Sequence, residues 1–235
     1  MRLRLSATFL CLIASACVDD GVSVYVRGVI PPEINEDSCT WDPSSDVFLP
    51  APGVLDVETD LVLGANVDYR LVLSAANQLQ RRGGSGRAET NGVQITRAEV
   101  TLRGLDGAAL NLGGLPNPFS VPVSAYIPPS ADPTTPGLAA VAVTAVPAAY
   151  ATAMANGFPR DADGNLVATQ VLIGVKLLGS TLGDIDIEMA EWQWPTTICG
   201  QCLFRCALDG DTPAFACDPG QDTVTILPST HLACL

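Results

Sequence analysis

Alternating apolar and polar residues recur between residues 20 and 195 and predict a succession of short β-strands. The clearest run is Val67 to Leu79, which places five apolar side chains on one face of an extended strand: Val67, Tyr69, Leu71, Leu73 and Ala75. A helix, with 3.6 residues per turn, could not gather these five on one stripe. Similar patterns predict further strands over 21–30, 54–57, 93–103, 121–127, 138–146, 167–177 and 181–194.

Two of these strands change parity part-way along, which predicts β-bulges. In the strand at 93–103 the apolar positions are odd-numbered before Arg97 and even-numbered after it. Between 181 and 194 they are odd-numbered up to Met189, and the two tryptophans that follow are even-numbered. One extra residue in a strand restores a single buried face. We therefore expect bulges near Arg97 and near Ala190.

The remaining elements and the turn-rich composition define the fold class. Pro147 to Ala155, followed by Asn156-Gly157, predicts one short helix. Pro122 inside a strand predicts an edge position. The 21 glycines and 18 prolines follow no period and suit short strands joined by turns. The sequence predicts a mainly β protein: an immunoglobulin-like antiparallel β-sandwich with one short helix and a disulfide-stapled C-terminal tail, with a barrel as the alternative.

The first seventeen residues, MRLRLSATFLCLIASAC, have the anatomy of an export signal. Two arginines precede a nine-residue apolar run, too short to cross a hydrocarbon core of about 30 Å as a helix. The small residues Ala14, Ser15 and Ala16 then precede Cys17. This arrangement resembles a bacterial lipobox, which implies cleavage before Cys17 and lipidation of its thiol. The same three residues fit an ordinary signal-peptidase site, so secretion without lipid is the alternative.

The number of cysteines supports lipidation. Of eight cysteines, one leaves with the leader and one would carry lipid, and the other six are Cys39, Cys199, Cys202, Cys206, Cys217 and Cys234. Six thiols can pair completely, and an exported chain favours disulfides. Cys39 must then reach a tail cysteine, and the sequence leaves the other pairings open. A thiolate metal site or thiol–disulfide chemistry at Cys199 and Cys202 is the alternative, disfavoured by the oxidising compartment and the missing second C-x2-C pair.

These features predict four consecutive regions. They are a signal peptide at 1–16, a lipidated N-terminus with the first strand and a polar segment at 17–50, a sandwich core at 51–197, and a cysteine-rich tail at 198–235. The first strand, at 21–30, is expected to join the sandwich. The chain is similar to a loosely defined set of exported bacterial lipoproteins of unassigned function, through LIASAC, GVSVYVRGVIPPE, YRLVLSAANQL and WQWPTTICGQC. The resemblance implies a membrane anchor and carries over no catalytic residue.

Net charge and ligand-type residues narrow the possible functions. The chain carries a net charge of −13, and loss of the two leader arginines leaves −15, which repels phosphate backbones and argues against nucleic-acid binding. The segment 161–165 resembles part of a calcium loop but has Leu166 and Leu172 where an EF-hand needs glycine and glutamate. We therefore expect no metal, calcium and zinc included, and no cofactor besides the lipid on Cys17.

Catalysis has few candidate residues, so we expect a non-enzymatic protein. The chain has one histidine, His231, and one lysine, Lys176, which leaves little for nucleophilic or metal-dependent hydrolysis. Three carboxylates alternate along one strand and are a possible acid–base set of the kind glycosidases use: Asp184, Asp186 and Glu188. A solvated sheet face is the simpler interpretation of that alternation.

Two functions remain as hypotheses. The favoured one is a lipid-anchored envelope or surface protein that serves as a structural or protein-interaction module. In bacterial lipoproteins, which the leader resembles, an aspartate directly after the lipidated cysteine is a retention signal for the inner membrane. Residue 18 is a valine, so the resemblance implies the outer membrane or the cell surface. The alternative is a carbohydrate-binding sandwich in which Trp192 and Trp194 stack on sugars, with Asp184, Asp186 and Glu188 completing the ligand face. Packing of both indoles in the core is the competing structural role.

Overall fold

The computed structural model describes residues 23–35, 38–64, 67–82, 88–208, 217–218, 220–227 and 230. The predictions for the leader, Cys17, His231 and Cys234 lie outside these residues. The strands are β1 (Val24–Val29), β2 (Glu33–Asn35), β3 (Ser38–Thr40), β4 (Gly53–Asp56), β5 (Tyr69–Asn77), β6 (Val93–Gly104), β7 (Phe119–Ile127), β8 (Gly137–Val146), β9 (Thr169–Thr181), β10 (Asp186–Glu188), β11 (Trp192–Cys199), β12 (Phe204–Cys206) and β13 (Thr225–Leu227). The helices are α1 (Asp60–Leu63) and α2 (Ala148–Gly157).

Two sheets form the sandwich. The smaller sheet has the order β1-β5-β8, and the larger has the order β4-β11-β9-β6-β7, with β10 also paired to β9. All of these pairs are antiparallel except β4 with β11, which is parallel. The order matches strands A-B-E facing G-F-C-C′ of an immunoglobulin domain, with the first strand split between the sheets as β1 and β4. The predicted fold class is confirmed.

The core lies between the two sheets, because the strands direct apolar side chains into the space between them. Leu71 and Leu73 of the smaller sheet share one buried cluster with Val100 and Ile173 of the larger sheet. All four are completely buried. At roughly 25 cal/mol per Å² of apolar surface, this cluster supplies the main favourable term in folding.

The predicted helix is α2, which connects β8 to β9. Its first backbone N–H, at Ala148, donates to Asp68 Oδ1 at 2.8 Å and so satisfies one of the helix's unpaired donors. Tyr150 and Met154 pack against the core. The Tyr150 hydroxyl donates to the Pro116 carbonyl at 2.7 Å, which ties the helix to the loop before β7.

Both predicted bulges are confirmed. The register of β6 shifts between Ile95 and Arg97 against both of its neighbours. The second irregularity separates β10 from β11, which lie along the same side of β9. Glu188 pairs with Leu178, and Trp192 pairs with Val175. The four-residue step from Glu188 to Trp192 therefore lies opposite a three-residue step on β9, which leaves one extra residue between β10 and β11. Pro122 lies in β7, which is an edge strand as predicted.

Three segments differ from the sequence prediction. The stretch after the first strand, expected to be irregular, contains the β2–β3 hairpin. A single helical turn, α1, was not predicted. Strand β11 continues to Cys199, past the expected start of the tail at 198, because β4 pairs with Thr196 to Cys199 and prolongs the ladder.

Disulfides fix the tail to the sandwich, as predicted. Cys39 is bonded to Cys217, with 5.8 Å between their Cα atoms and a sequence separation of 178. Cys199 is bonded to Cys202, and Cys206 is also disulfide-bonded. The predicted connection from Cys39 to the tail is therefore confirmed.

Candidate functional site

A cleft of about 1040 Å³ opens at one edge of the sandwich, between β1 and the β10–β11 bulge. The residues that matter most for its chemistry are Val24, Tyr25, Val26, Lys176, Met189 and Trp192. The valines, Met189 and the indole give it an apolar floor, and Lys176, Glu188 and Glu191 give it a charged rim. A large half-open cavity with apolar walls and a few polar groups is typical of binding sites.

The bulge explains why the cleft exists at this edge. The extra residue between Glu188 and Trp192 turns the chain, so that Met189 and Trp192 face inward while Glu191 faces outward. Strand β4 covers β11 only from Thr196 onward. Within the described part of the chain, no strand pairs with the outer edge of the preceding half of β11, whose other edge pairs with β9, and the cleft opens beside it.

The opposite wall is β1, which is the outermost strand of the smaller sheet. Its inner edge pairs with β5 from Val24↔Asn77 to Val29↔Leu73. On its outer edge the Val29 carbonyl accepts a hydrogen bond from Leu49 at 2.9 Å. Among the described residues no strand pairs with the outer edge from Val24 to Val26. Unpaired backbone groups therefore border the cleft, as at any exposed sheet edge.

The two predicted tryptophans are neighbours with different environments. Their rings stack with centroids 5.6 Å apart and planes at 15°. Trp194 is only 5% exposed, and its Nε1–H donates to the Tyr69 hydroxyl at 3.1 Å. Trp192 is half-buried and lines the cleft. Only Trp192 can offer ring surface to a ligand, because Trp194 belongs to the core.

Two ion pairs organise the charged rim. Lys176 Nζ lies 2.7 Å from Glu188 Oε1, and this hydrogen bond raises the pKa of Lys176 and lowers the pKa of Glu188. Arg103 holds both carboxylate oxygens of Glu191 at 2.6 and 2.8 Å, which lowers the pKa of Glu191. Gly174 lies beneath this pair, where a Cβ would collide with the Glu191 carboxylate.

The structure divides the predicted ligand face. Trp192 and Trp194 turn inward, whereas Asp186 and Glu188 are exposed on the outer surface of the larger sheet. Asp184 is exposed in the β9–β10 turn, with a left-handed φ of 61°. Only Trp192 and Glu188 of the five predicted residues line the cleft. The one-residue bulge is the reason, since it reverses the faces on either side of it.

Several cleft residues come from distant segments and were not predicted from the sequence. Tyr25 on β1, Gln78 after β5 and Glu191 in the bulge all line the cleft. The predicted bulge near Ala190 was the one signal that marked this position. Periodicity could not predict that β1 pairs with β5. This pairing determines which edge of the smaller sheet faces the bulge.

The opposite half of β11 is closed by a polar network that docks the tail. The buried carboxylate of Asp56 accepts backbone N–H groups from Glu58, Gln201 and Leu203 at 3.0, 2.9 and 3.2 Å. Asp222 accepts the Val54 N–H at 2.8 Å and the Tyr69 hydroxyl at 3.2 Å.

Burial sets the pKa directions in this network. It raises the pKa of Asp222, and it raises the pKa of Tyr69 far above its usual range, with the nearby Asp222 carboxylate adding to the effect. The Tyr69 hydroxyl is therefore a neutral donor to Asp222 at physiological pH. The carboxylates of Asp56 and Asp222 and the Tyr69 hydroxyl each have hydrogen-bond partners within the protein, so this network serves to hold the tail against the sandwich.

The residues that the structure describes show neither a metal-binding cluster nor a membrane-spanning helix. They contain no cluster of three or more cysteine, histidine, aspartate or glutamate side chains arranged to hold a metal ion. The five-residue acidic loop predicted to resemble a calcium site is closed by its own hydrogen bonds, from Asp163 and Asn165 N–H to Asp161 Oδ1 at 2.9 Å each. Across the same described residues, no helix has the length and apolar character needed to cross a bilayer.

Comparison with known proteins gives no relative from which a function could be transferred: no family model and no curated protein matches the chain.

Proposed function

We propose that the chain is an exported, lipid-anchored interaction module, non-catalytic, whose cleft binds an extended segment of a partner protein by strand addition. The observation that carries the proposal is the outer edge of β1, which has no strand partner among the described residues and lies beside an apolar cleft. In strand addition, main-chain hydrogen bonds to a sheet edge supply affinity, and pockets for alternate side chains supply specificity.

The edge of β1 is a better template than the edge of β11. Pro195 lies in β11 and has no N–H, so the ladder that β11 could offer a partner lacks a donor there. Residues Val24 to Val26 have no proline. An added strand beside them would place every second side chain over Met189 and Trp192.

The charge of the module indicates the composition of its partner. The mature chain would carry −15, and its rim carboxylates already have basic partners within the protein. Long-range attraction therefore favours a neutral or basic segment. We propose an occupant with alternating apolar side chains and lysine or arginine at its flanks.

The test uses peptides selected from a displayed library against the wild-type mature chain. Ala190→Trp should fill the cleft, because Ala190 is exposed and lines it, and should weaken the selected peptides at least tenfold. Val47→Trp is the matched control, since Val47 is also exposed but does not line the cleft. Equal binding to wild type and Ala190→Trp would contradict the cleft as the binding site.

Glycan binding is the second candidate, favoured by the half-buried ring of Trp192 beside Gln78 and Glu191. One aromatic ring with adjacent hydrogen-bonding groups is a common arrangement for stacking a sugar. Glycan retention that Trp192→Ala abolishes, in a variant that keeps its thermal stability, would support this function. Loss of stability with unchanged retention would assign the indole to packing.

The anchor has its own test. The intact mass of protein extracted from native membranes, alkylated in denaturant without reductant, should equal the chain from Cys17 plus acyl groups with no alkyl adduct. A mass without acyl groups would support the secreted alternative.

A further inference from the structure

Three exposed apolar side chains gather at one end of the sandwich, and we call them the apolar tip: Tyr126, Leu182 and Ile185. They are 45%, 52% and 62% exposed. Gly92 links two of them, because Leu182 N–H donates to the Gly92 carbonyl at 2.8 Å and the Tyr126 ring covers Gly92 where a Cβ would stand. Thr181 N–H donates to the Ile185 carbonyl at 2.8 Å and closes the hairpin.

Hydrogen bonds place the apolar tip at the end where β1 begins. Gln78 N–H donates to the Ser23 carbonyl at 2.7 Å, and Asn77 Nδ2 donates to the Asn91 carbonyl at 2.9 Å. Asn91 is the chain neighbour of Gly92, whose carbonyl accepts the hydrogen bond from Leu182 in the β9–β10 hairpin. The start of β1 and the apolar tip therefore lie at one end of the domain.

The chain that precedes β1 is short. Cys17 stands six residues before Ser23, and six extended residues reach at most about 22 Å. Strand β6 alone has twelve residues and runs about 35 Å to the opposite end, near Leu105. A lipid on Cys17 would hold the apolar tip close to the bilayer surface.

Cationic side chains accompany the apolar tip. Arg81 and Arg82 are exposed in the same end loop, where Arg81 N–H donates to the Ser130 carbonyl at 3.0 Å. Guanidinium groups are attracted to lipid phosphates, and tyrosine suits the membrane–water boundary. Asp184 lies between Leu182 and Ile185 and is exposed, so its carboxylate limits contact to the headgroup level.

We infer that the apolar tip rests on the bilayer surface that holds the anchor, with Arg81 and Arg82 at the phosphates. This inference depends on the lipid anchor of the proposed function. It fixes the orientation of the module, with the tail and α2 turned away from the membrane. Exposed apolar residues at the other end, such as Leu105 at 67% exposure, lack the nearby anchor.

Site-specific crosslinking in native membranes tests the inference. A diazirine-bearing amino acid replaces Ile185 in the full-length chain, and Leu105 carries the same group in the matched control. Illumination should give lipid adducts at residue 185 at least tenfold more often than at residue 105. Equal yields, or no adducts at 185 in protein whose mass includes acyl groups, would overturn the inference.

A second variant separates this inference from the proposed function. Leu182→Asn with Ile185→Asn changes only exposed side chains and should leave peptide binding in the cleft unchanged. In nanodiscs it should abolish the protection of amides 183–186 from hydrogen exchange that the wild-type lipidated chain shows relative to detergent. Unchanged protection would contradict tip contact, whereas a mass without acyl groups would instead remove the anchor.

Discussion

The two halves of β11 lie on one strand and have opposite roles. From Thr196 to Cys199 the strand is covered by β4, and β4 in turn is covered by residues 220–222 of the tail. From Trp192 to Pro195 the described chain supplies no outer neighbour, and the space beside the strand is the cleft. Trp192 lines the cleft, whereas Trp194, two residues further on, is buried and donates to the Tyr69 hydroxyl, which in turn donates to Asp222 of the tail.

The difference shows what makes a sheet edge available for binding. At the closed half, the tail satisfies backbone and side-chain groups together, through Asp56 and Asp222. At the open half, β4 provides no partner before Thr196, and apolar side chains stay accessible in the cleft. We interpret the closed half as structural and the open half as the binding surface, and four sets of variants test that separation.

Removal of the Cys39–Cys217 disulfide should have the largest effect. Replacing both cysteines with serine frees a loop that spans 178 residues, for which the chain-entropy relation gives about 5 kcal/mol of stability. Denaturant unfolding should show this loss, and hydrogen exchange should rise first at the tail and β4. An unchanged midpoint would mean that the tail is held by other contacts alone.

Replacing each tryptophan with alanine should show that Trp194 contributes mainly to stability and Trp192 mainly to binding. Trp194→Ala removes a buried indole and should cost about 4 kcal/mol, as large core truncations do. Trp192→Ala should cost roughly 1 kcal/mol, because part of its ring is already in water, and should weaken selected peptides at least tenfold. Thermal denaturation and peptide titration measure the two effects. Equal stability losses would remove the distinction between a buried Trp194 and a cleft-lining Trp192.

Asp56→Ala should open the closed half locally. It leaves the N–H groups of Gln201 and Leu203 without their acceptor, at a cost of about 3 kcal/mol for losing hydrogen bonds to a buried carboxylate. Asp68→Ala, which removes the acceptor for the exposed Ala148 N–H, is a milder comparison. Faster exchange confined to the tail, with the cleft edge unchanged, is the expected pattern.

Replacing Asp222 should change the stability of the fold by a smaller amount, and the change should depend on pH. Burial raises the pKa of Asp222 in the folded state, so the folded state holds its proton at a higher pH than the unfolded state does. Stability from this group is present at low pH and falls as pH rises from the unfolded-state pKa through the folded-state value. Asp222→Asn keeps an acceptor for Val54 and Tyr69, so it should flatten this dependence between pH 3 and 7. A profile identical to wild type would contradict the assigned direction.

Much of the fold was predictable because local patterns coincide with tertiary burial. The alternation in β5 predicted the face that packs in the core, although Val72, Ser74 and Ala76 on the other face are buried too. The parity changes near Arg97 and Ala190 predicted both bulges. Pro122 predicted an edge strand. The β2–β3 hairpin was not predictable, because its three-residue strands are too short to show a period.

The candidate site was predictable only in part. The bulge and the Trp192–Trp194 pair were visible in sequence, but the cleft also needs β1 and Gln78, which pairing brings from far along the chain. The same bulge separates Asp186 from Trp192, so the predicted ligand face could not persist as one surface. The cleft and the division of the predicted ligand face both depend on strand topology, which the periodicity of a sequence does not reveal.

The most direct test of strand addition is hydrogen exchange at β1 with a selected peptide bound. Residues 24–26 should gain protection in the wild-type chain and in Val47→Trp, and should gain none in Ala190→Trp, where the cleft is filled. Protection at another sheet edge, or protection that persists in Ala190→Trp, would contradict the account.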